Sequence, residues 1–302
     1  MEKVKLSNGL EIPKIGYGSA IVLTYMYGST GKAGIAKYWV RNWLKNRSQY
    51  RKDKALKNVV NVAMKNGTTL IDTSRAYAGS EYILGKTLKN YPRDQYQICT
   101  KLCNGDQMSG NIRQSLESSL KTLQVDYVDL YLMHWPVTET FLDSWKQMEE
   151  LYKSGLCKAI GVCNCNIHHL EEIKKVAEIM PMVNQIECHP LFTQDELRAY
   201  CDENNIQVMA YTPTARMDDR LRKTVLPVIA KKYHKTVAQI ILRWHTQIGN
   251  VPIVNTSNAQ HLMDNFNVFD FTLTEEEIKS ITAININSRL RYDPDNCDFS
   301  QL

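Results

Sequence analysis

The sequence lacks several patterns that assign a protein class directly. Its 302 residues contain no apolar run long enough to span a membrane, and the first five residues do not open a secretory signal peptide. The eight cysteines form no CxxC pair and no zinc-ligand spacing, so we expect reduced, buried thiols and no metal site. These absences predict a cytoplasmic protein that does not bind a membrane.

Two common nucleotide-binding motifs are also missing. Gly16 and Gly18 do not continue into GxGxxG, and no strand–turn–helix unit follows them, which excludes a Rossmann fingerprint. Residues 28–33 lack the glycine spacing and the hydroxyl residue of a phosphate loop. We therefore predict neither a Rossmann site nor a phosphate loop at these glycines.

Positive charge is concentrated in one part of the chain. Residues 32–57 hold nine lysines and arginines against Asp53 alone, whereas the whole chain has a net charge of +5. Because a nucleic-acid-binding domain is usually basic over a whole face, we expect no nucleic-acid partner. Much of this charge lies in a long insertion, about 20–52, where apolar residues at helical spacing (Ile35, Trp39 and Trp43) predict an extra helix. Its apolar stripe either packs on the body of the protein or forms a lid over the active site.

The rest of the chain alternates between strand and helix patterns. Residues 4–13 alternate around Asn8-Gly9, which predicts a β-hairpin ahead of the main fold that could plug its bottom. Predicted strands follow at 14–19, 68–72, 95–101, 127–133, 157–162, 182–187, 206–211 and 251–254. Predicted helices lie at 53–66, 80–90, 109–123, 141–154, 167–179, 194–203, 221–233, 236–247 and 259–266, with an additional one at 274–284. Eight β/α units predict a (β/α)₈ TIM barrel, and without a linker we expect one domain over 1–302.

Polar side chains follow the predicted strands, where barrel enzymes place their active sites. Asp72 ends the second strand and Tyr77 lies in the loop after it, with Ser80 as the expected N-cap of the next helix. Lys101 and His134 end the following two strands. A tyrosine can donate a proton to a carbonyl oxygen, and a neighbouring lysine lowers its pKa. An aspartate would compensate the buried lysine, and a histidine could orient the substrate oxygen, so the set predicts carbonyl reduction.

These residues lie within motifs that resemble the aldo-keto reductase family over almost the whole chain. The motifs are IDTxxxY…GSE…LG at 71–85, Thr100-Lys101, LMHWP at 132–136, KAIGVCN at 158–164, NQIECHP at 184–190, AYTP at 210–213 and DNFNVFDF at 264–271. The resemblance implies an NAD(P)H-dependent reductase of aldehydes or ketones. It also implies a catalytic tetrad of Asp72, Tyr77, Lys101 and His134, with Tyr77 as the general acid.

The resemblance assigns further residues to cofactor and substrate. Tyr211 would stack on the nicotinamide, Asn164 and Gln185 would hold its carboxamide, and Trp135 would line the substrate pocket. The other cofactor-binding positions would be Gly18, Ser19, Cys163, Thr212, Pro213, Asn255, Thr256, His261, Asp264 and Asn265.

Some of these positions depart from the family pattern. Cys163 replaces a serine, and a thiol is a weaker hydrogen-bonding group. Where NADPH-preferring members carry Pro-Lys-Ser and an arginine, this chain has Val254-Asn255-Thr256 and His261. Losing the lysine and arginine removes charge-assisted bonds to a 2′-phosphate. NADP(H) is the family's usual cofactor, and NAD(H) is a possible one, with Thr256 and the backbone ahead of the helix at 259–266 as a remaining phosphate site.

Two other functions are compatible with parts of the sequence. A regulatory or scaffolding protein could keep the fold, bind a nucleotide and present the basic segment 32–57 to a partner. A barrel enzyme that handles phosphate compounds could use Lys101 as a Schiff base, although Asp72 and Tyr77 fit that chemistry less well. For the reductase we expect a small carbonyl substrate and a monomer.

Overall fold

The computed structural model describes residues 2–20, 53–67, 69–77 and 79–301. It begins with an antiparallel hairpin of strands β1 (Lys3–Lys5) and β2 (Glu11–Pro13). Asn8 in the turn donates its side-chain amide to the Lys158 carbonyl at 2.8 Å, and Gln97 donates to the Glu11 carbonyl at 2.7 Å. Because both partners lie near the amino ends of barrel strands, the hairpin sits at the bottom of the barrel, as predicted.

Eight parallel strands close into a barrel in the order β10-β3-β4-β5-β6-β7-β8-β9. They are β3 (Gly16–Gly18), β4 (Leu70–Asp72), β5 (Gln97–Leu102), β6 (Val128–Met133), β7 (Cys157–Cys163), β8 (Val183–Glu187), β9 (Gln207–Tyr211) and β10 (Val251–Asn255). Each lies within a residue or two of its predicted bounds. The strands are short and largely apolar because both faces of a parallel barrel are buried.

Helices surround the barrel and alternate with its strands. They are α1 (53–65), α2 (Ser80–Leu88), α3 (Asn104–Met108), α4 (Ile112–Leu123), α5 (Phe141–Lys153), α6 (Ile167–Val176), α7 (Asp195–Glu203), α8 (Leu226–Tyr233), α9 (Val237–Gln247), α10 (Ala259–Phe266) and α11 (Glu275–Thr282). No helix among the described residues is long and apolar enough to cross a membrane. The additional helix α11 begins with a reciprocal capping box between Thr274 and Glu277, which confirms the predicted start.

Three local predictions differ from the structure. Ser80 is not the N-cap of α2: the cap position is Gly79, at φ 77°, and the Ser80 side chain is fully buried. The helix predicted from residue 221 begins at Leu226, after a 3₁₀ turn over Asp219–Lys223. The short helix α3 is absent from the predicted pattern because it is only five residues long.

Close packing fixes the spacing of the strands. Trp145, Trp244 and Tyr131 are fully buried among the aliphatic residues of the strands and helices. At Gly161 an added Cβ would lie 2.5 Å from the Val183 carbonyl oxygen, so β7 and β8 require glycine there. The fold therefore holds the strand ends, and the polar side chains they carry, in fixed positions.

The predicted insertion at 20–52 lies outside the described residues, apart from Ala20. The prediction of an amphipathic helix around Trp39, and the choice between packing and a lid, stay predictions. The prediction of a single domain over 1–302 does so as well.

Candidate active site

A buried ion pair occupies the carboxyl ends of β4 and β5. The Lys101 ammonium donates to both carboxylate oxygens of Asp72, at 2.8 and 2.7 Å, and to the Thr73 carbonyl at 2.9 Å. Lys101 is 0% exposed and Asp72 is 3% exposed. Burial lowers the pKa of Lys101, but the charge of Asp72 outweighs it and holds the pKa well above its ordinary value. Lys101 is therefore a permanently charged cation, fully bonded, at the mouth of the barrel.

Tyr77 lies beside this pair. The Lys101 ammonium is 5.2 Å from the centre of the Tyr77 ring. Because its three N–H groups are taken by Asp72 and Thr73, the ammonium acts on Tyr77 mainly through its charge. Burial raises the pKa of the Tyr77 phenol to about 12, and the charge of Lys101 opposes that rise. The sequence-based expectation of a lowered pKa thus gave too little weight to burial: the lysine moderates the increase.

His134 completes the predicted tetrad. It follows β6, and its ring meets that of Tyr77 edge to face, with centres 5.9 Å apart. Burial lowers the pKa of His134 to about 3, and the charges of Lys101 and Arg291 act in the same direction. The imidazole is therefore neutral near pH 7, so it can donate one hydrogen bond and accept another. The structure brings all four predicted tetrad residues into one cluster.

The three residues predicted to hold the nicotinamide lie next to the tetrad. Gln185 donates its amide to Asp72 Oδ2 at 2.8 Å. Asn164 donates to the His134 carbonyl at 3.0 Å and accepts a hydrogen bond from the Tyr211 hydroxyl at 2.7 Å. Asn164 has a positive φ of 61°, which turns the chain sharply at the end of β7. These residues offer amide groups and an aromatic ring at the rim, which matches the chemistry of a nicotinamide carboxamide and ring.

The remaining residues near the strand ends are differently placed. Gly18 and Ser19 are buried beside Asp72, and the Ser19 hydroxyl accepts a hydrogen bond from the Ser80 hydroxyl at 2.6 Å. Cys163 is 1% exposed, and burial raises the pKa of its thiol, which is therefore neutral. Thr212 has a positive φ of 51°, and the Pro213 carbonyl is engaged by a ring nitrogen of the buried His245 at 3.0 Å. For Ser19, Cys163 and Pro213 the structure gives a packing role in addition to any contact with a cofactor.

The residues predicted to bind the adenosine end form a separate group at the end of β10. They are Asn255, Thr256, His261, Asp264 and Asn265, and none of them is buried. The strand pairing that places Asn255 beside Gly18 connects this group to the rest of the rim. Asn258 caps α10 by accepting from the Gln260 and His261 amides, at 2.8 and 3.4 Å. Two first-turn amides of α10 are thus already bonded, and ahead of the helix, where the sequence predicts a phosphate site, the Asn258 N–H donates to Thr256 Oγ1 at 3.1 Å.

The carboxyl-terminal segment crosses the same end of the barrel, a feature that the sequence did not reveal. Both carboxylate oxygens of the buried Glu187 accept backbone N–H groups, from Leu290 at 2.7 Å and Arg291 at 3.1 Å. Farther along, the ring of Phe299 lies 6.4 Å from that of Trp135, the predicted substrate residue. The only indication in the sequence is Glu187 itself, in the NQIECHP motif. An acid at the end of a buried strand needs hydrogen-bond donors, and the carboxyl-terminal segment supplies them.

In the part of the chain that the structure describes, one group of side chains has the spacing of a metal site. His168, His169 and Asp295 place one ligand atom each within 4.8 Å of one another. However, His169 Nδ1 accepts the Asn166 N–H at 3.1 Å, so in the neutral ring the hydrogen is on Nε2. That nitrogen faces Asp295 Oδ1 at 3.7 Å and cannot bind a metal while it is protonated. The group joins α6 to the carboxyl-terminal segment.

The comparisons with known proteins agree on one family. Residues 41–286 match the Aldo/keto reductase family. The chain is 42% identical to the glyoxal reductase of Bacillus subtilis over 241 residues, which is 80% of this chain and 87% of that protein. It is 41% identical to the methylglyoxal reductase of Salmonella typhimurium over 241 residues, covering 78% of this chain and 86% of that protein.

A solved structure agrees with the observed fold. The crystal structure of a Bombyx mori aldo-keto reductase in complex with NADP is 29% identical to this chain, with a TM-score of 0.82. The match covers 97% of this chain and 96% of that one. The chain therefore belongs to the aldo/keto reductase family and is an NAD(P)H-dependent oxidoreductase of aldehydes and ketones.

Proposed function

We propose that Tyr77, Lys101, Asp72 and His134 carry out this carbonyl reduction, with Tyr77 as the proton donor. The observation that carries the proposal is the buried Lys101–Asp72 pair beside the Tyr77 ring, with the His134 ring in edge-to-face contact with the same tyrosine. A phenol, a fixed cation and a neutral imidazole at one barrel mouth match what a carbonyl oxygen needs as it gains negative charge.

The phenol is suited to donate rather than to accept a proton. With a pKa of about 12, Tyr77 is protonated near pH 7. An alkoxide formed from a carbonyl is a much stronger base than a phenolate, so proton transfer from the phenol to the alkoxide is downhill. The phenolate left behind is stabilised by the charge of Lys101, which acts strongly because the pair is shielded from water.

The nicotinamide cofactor, when bound, supplies the hydride that adds to the carbonyl carbon. Tyr77 then gives its proton to the oxygen, which completes the alcohol. Neutral His134 donates a hydrogen bond to the same oxygen and sets its orientation. Asn164, Gln185 and Tyr211 would hold and face the nicotinamide, as their position beside His134 and Asp72 suggests.

For the cofactor we propose NADPH, with a weaker preference over NADH than an arginine clamp would give. Relatives of known structure bind NADP or NADPH, which supports the first part. The second part rests on Asn255, Thr256 and His261, which offer neutral hydrogen bonds in place of charged ones. Titrating the fluorescence of NADPH and of NADH against the protein tests both: equal affinities would exclude any 2′-phosphate recognition.

For the substrate we propose small 2-oxoaldehydes, with the chain acting as a monomer. The relatives named for glyoxal and methylglyoxal reduction support this choice. Trp135, nearly buried at the rim, would form one wall of the pocket. In the decisive assay, the purified protein consumes NADPH when methylglyoxal is added and does not do so with the corresponding hydroxyketone alone. No consumption with methylglyoxal or with a small aromatic aldehyde would contradict the proposed activity.

A further inference from the structure

The loop that carries Tyr77 is closed by a cluster of three hydroxyl groups. Thr73 begins this loop and Ser80 ends it, and Ser19 comes from the end of the neighbouring strand β3. All three are 0% exposed. The Ser80 hydroxyl donates to Ser19 Oγ at 2.6 Å and is 3.0 Å from Thr73 Oγ1. Since the hydrogen of Ser80 is used toward Ser19, Thr73 is the donor in the second bond.

The same three residues are bonded directly to the ion pair and to Tyr77 through the backbone. The Thr73 carbonyl accepts from the Lys101 ammonium at 2.9 Å, and the Ser19 N–H donates to the Asp72 carbonyl at 2.8 Å. The Ser80 N–H donates to the Tyr77 carbonyl at 2.8 Å. The hydroxyl cluster thus connects both ends of the Tyr77 loop to each other and to the residues that hold Lys101 and Asp72.

We propose that Ser80 is a positioning residue for the proton donor: its hydroxyl, bonded to Thr73 and Ser19, fixes the loop that places Tyr77 against Lys101. This inference rests on the proposed role of Tyr77. Catalytic geometry tolerates little displacement, and a shift of about 1 Å can cost about 100-fold in rate. A hydroxyl that closes the loop therefore affects turnover without touching substrate or cofactor.

Two other features favour this role over a helix cap. The cap position of α2 belongs to Gly79, whose φ of 77° turns the chain before the helix begins. The Ser80 side chain is thereby released from capping and points into the interior toward Ser19. Alanine at this position would keep the backbone and the Cβ and lose only the two hydrogen bonds. Ser80→Ala therefore isolates the contribution of the hydroxyl.

The test compares Ser80→Ala with Ser144→Ala. Ser144 is also buried, on α5, and its hydroxyl has no partner among the described residues, so its loss is a matched control. The first readout does not need activity: amide hydrogen exchange, followed by mass spectrometry, of peptides that cover the Tyr77 loop. We expect exchange there to be about tenfold faster or more in Ser80→Ala, because the two hydrogen bonds that close the loop are lost, and unchanged in Ser144→Ala.

The second readout is steady-state kinetics with NADPH and methylglyoxal. We expect Ser80→Ala to lower kcat by about 10- to 100-fold with little change in KM or in cofactor affinity. If Ser80→Ala does not fold, Thr73→Val keeps the shape and removes one of the two bonds, that between Thr73 and Ser80. Exchange and kcat that match Ser144→Ala would overturn the proposal. Faster loop exchange in Ser80→Ala, together with a wild-type protein that reduces no carbonyl, would instead refute the proposed activity and leave the role of the hydroxyl in the loop intact.

Discussion

The buried Lys101–Asp72 pair yields a prediction about stability that is independent of catalysis. Both side chains are buried, and the ammonium is bonded to both carboxylate oxygens and to the Thr73 carbonyl. Removing one partner leaves the other buried without compensation, which costs about 3–5 kcal/mol. We therefore expect Asp72→Asn and Lys101→Met each to lower the free energy of unfolding by about that amount.

The double variant distinguishes this explanation from simple loss of packing. Methionine keeps most of the lysine stem, and asparagine can still bond Gln185, so the double variant buries no unpaired charge. We expect the double variant to lose about 2–3 kcal/mol less than the sum of the two single losses, while all three variants are inactive. Urea unfolding monitored by tryptophan fluorescence measures each free energy. Strictly additive losses would refute the claim that the two side chains depend on each other.

The pH dependence of Asp72→Asn gives a further check on the same pair. In the wild type the pKa of Lys101 is well above its ordinary value, so its contribution is fully present near pH 7 and is lost only at strongly alkaline pH. Without Asp72, burial alone would lower that pKa below its unfolded value of about 10.4. The folded variant would then bind fewer protons than the unfolded chain, so its stability should rise from pH 7 toward pH 10. A flat profile would contradict this reasoning.

Two other predictions concern single residues. The pKa of His134 is lowered to about 3, so neutral His134 contributes stability above its unfolded pKa of about 6.5 that is lost as the pH falls toward 3. His134→Gln should make the loss of stability over that range smaller, as thermal unfolding in a buffer series would show. An unchanged dependence of stability on pH would contradict a His134 ring that stays neutral. His261→Arg should tighten NADPH binding about tenfold, the effect of one charge-assisted bond, and leave NADH unchanged in a fluorescence titration. Equal gains for both cofactors would place His261 away from the 2′-phosphate.

The barrel was largely predictable from the sequence because its determinants are local. Short apolar runs separated by helical patterns occur eight times, and each predicted strand is present within a residue or two. Their polar terminal residues then had to converge, since the carboxyl ends of parallel strands meet at one rim. That requirement is enough to bring Asp72, Lys101 and His134 together without knowledge of any contact.

Features that depend on packing between distant segments were not predictable in the same way. Ser80 resembles an N-cap in sequence, but its hydroxyl bonds Ser19 across 61 positions of chain. The pKa of Tyr77 depends on how completely the barrel mouth excludes water, which no motif encodes. The contact of Glu187 with residues 290–291 spans more than a hundred positions. In each case the residue type was visible, and its partner was determined only by the tertiary structure.

The central claim is that Tyr77 donates the proton in carbonyl reduction, and Tyr77→Phe tests it most directly. Phenylalanine keeps the ring against His134 and Lys101 and removes only the hydroxyl. Methylglyoxal-dependent oxidation of NADPH should fall by about 100- to 10,000-fold, the usual contribution of a general acid, while NADPH affinity stays within about twofold of the wild type. A Tyr77→Phe enzyme that binds NADPH normally and keeps more than about a tenth of wild-type kcat would contradict the account.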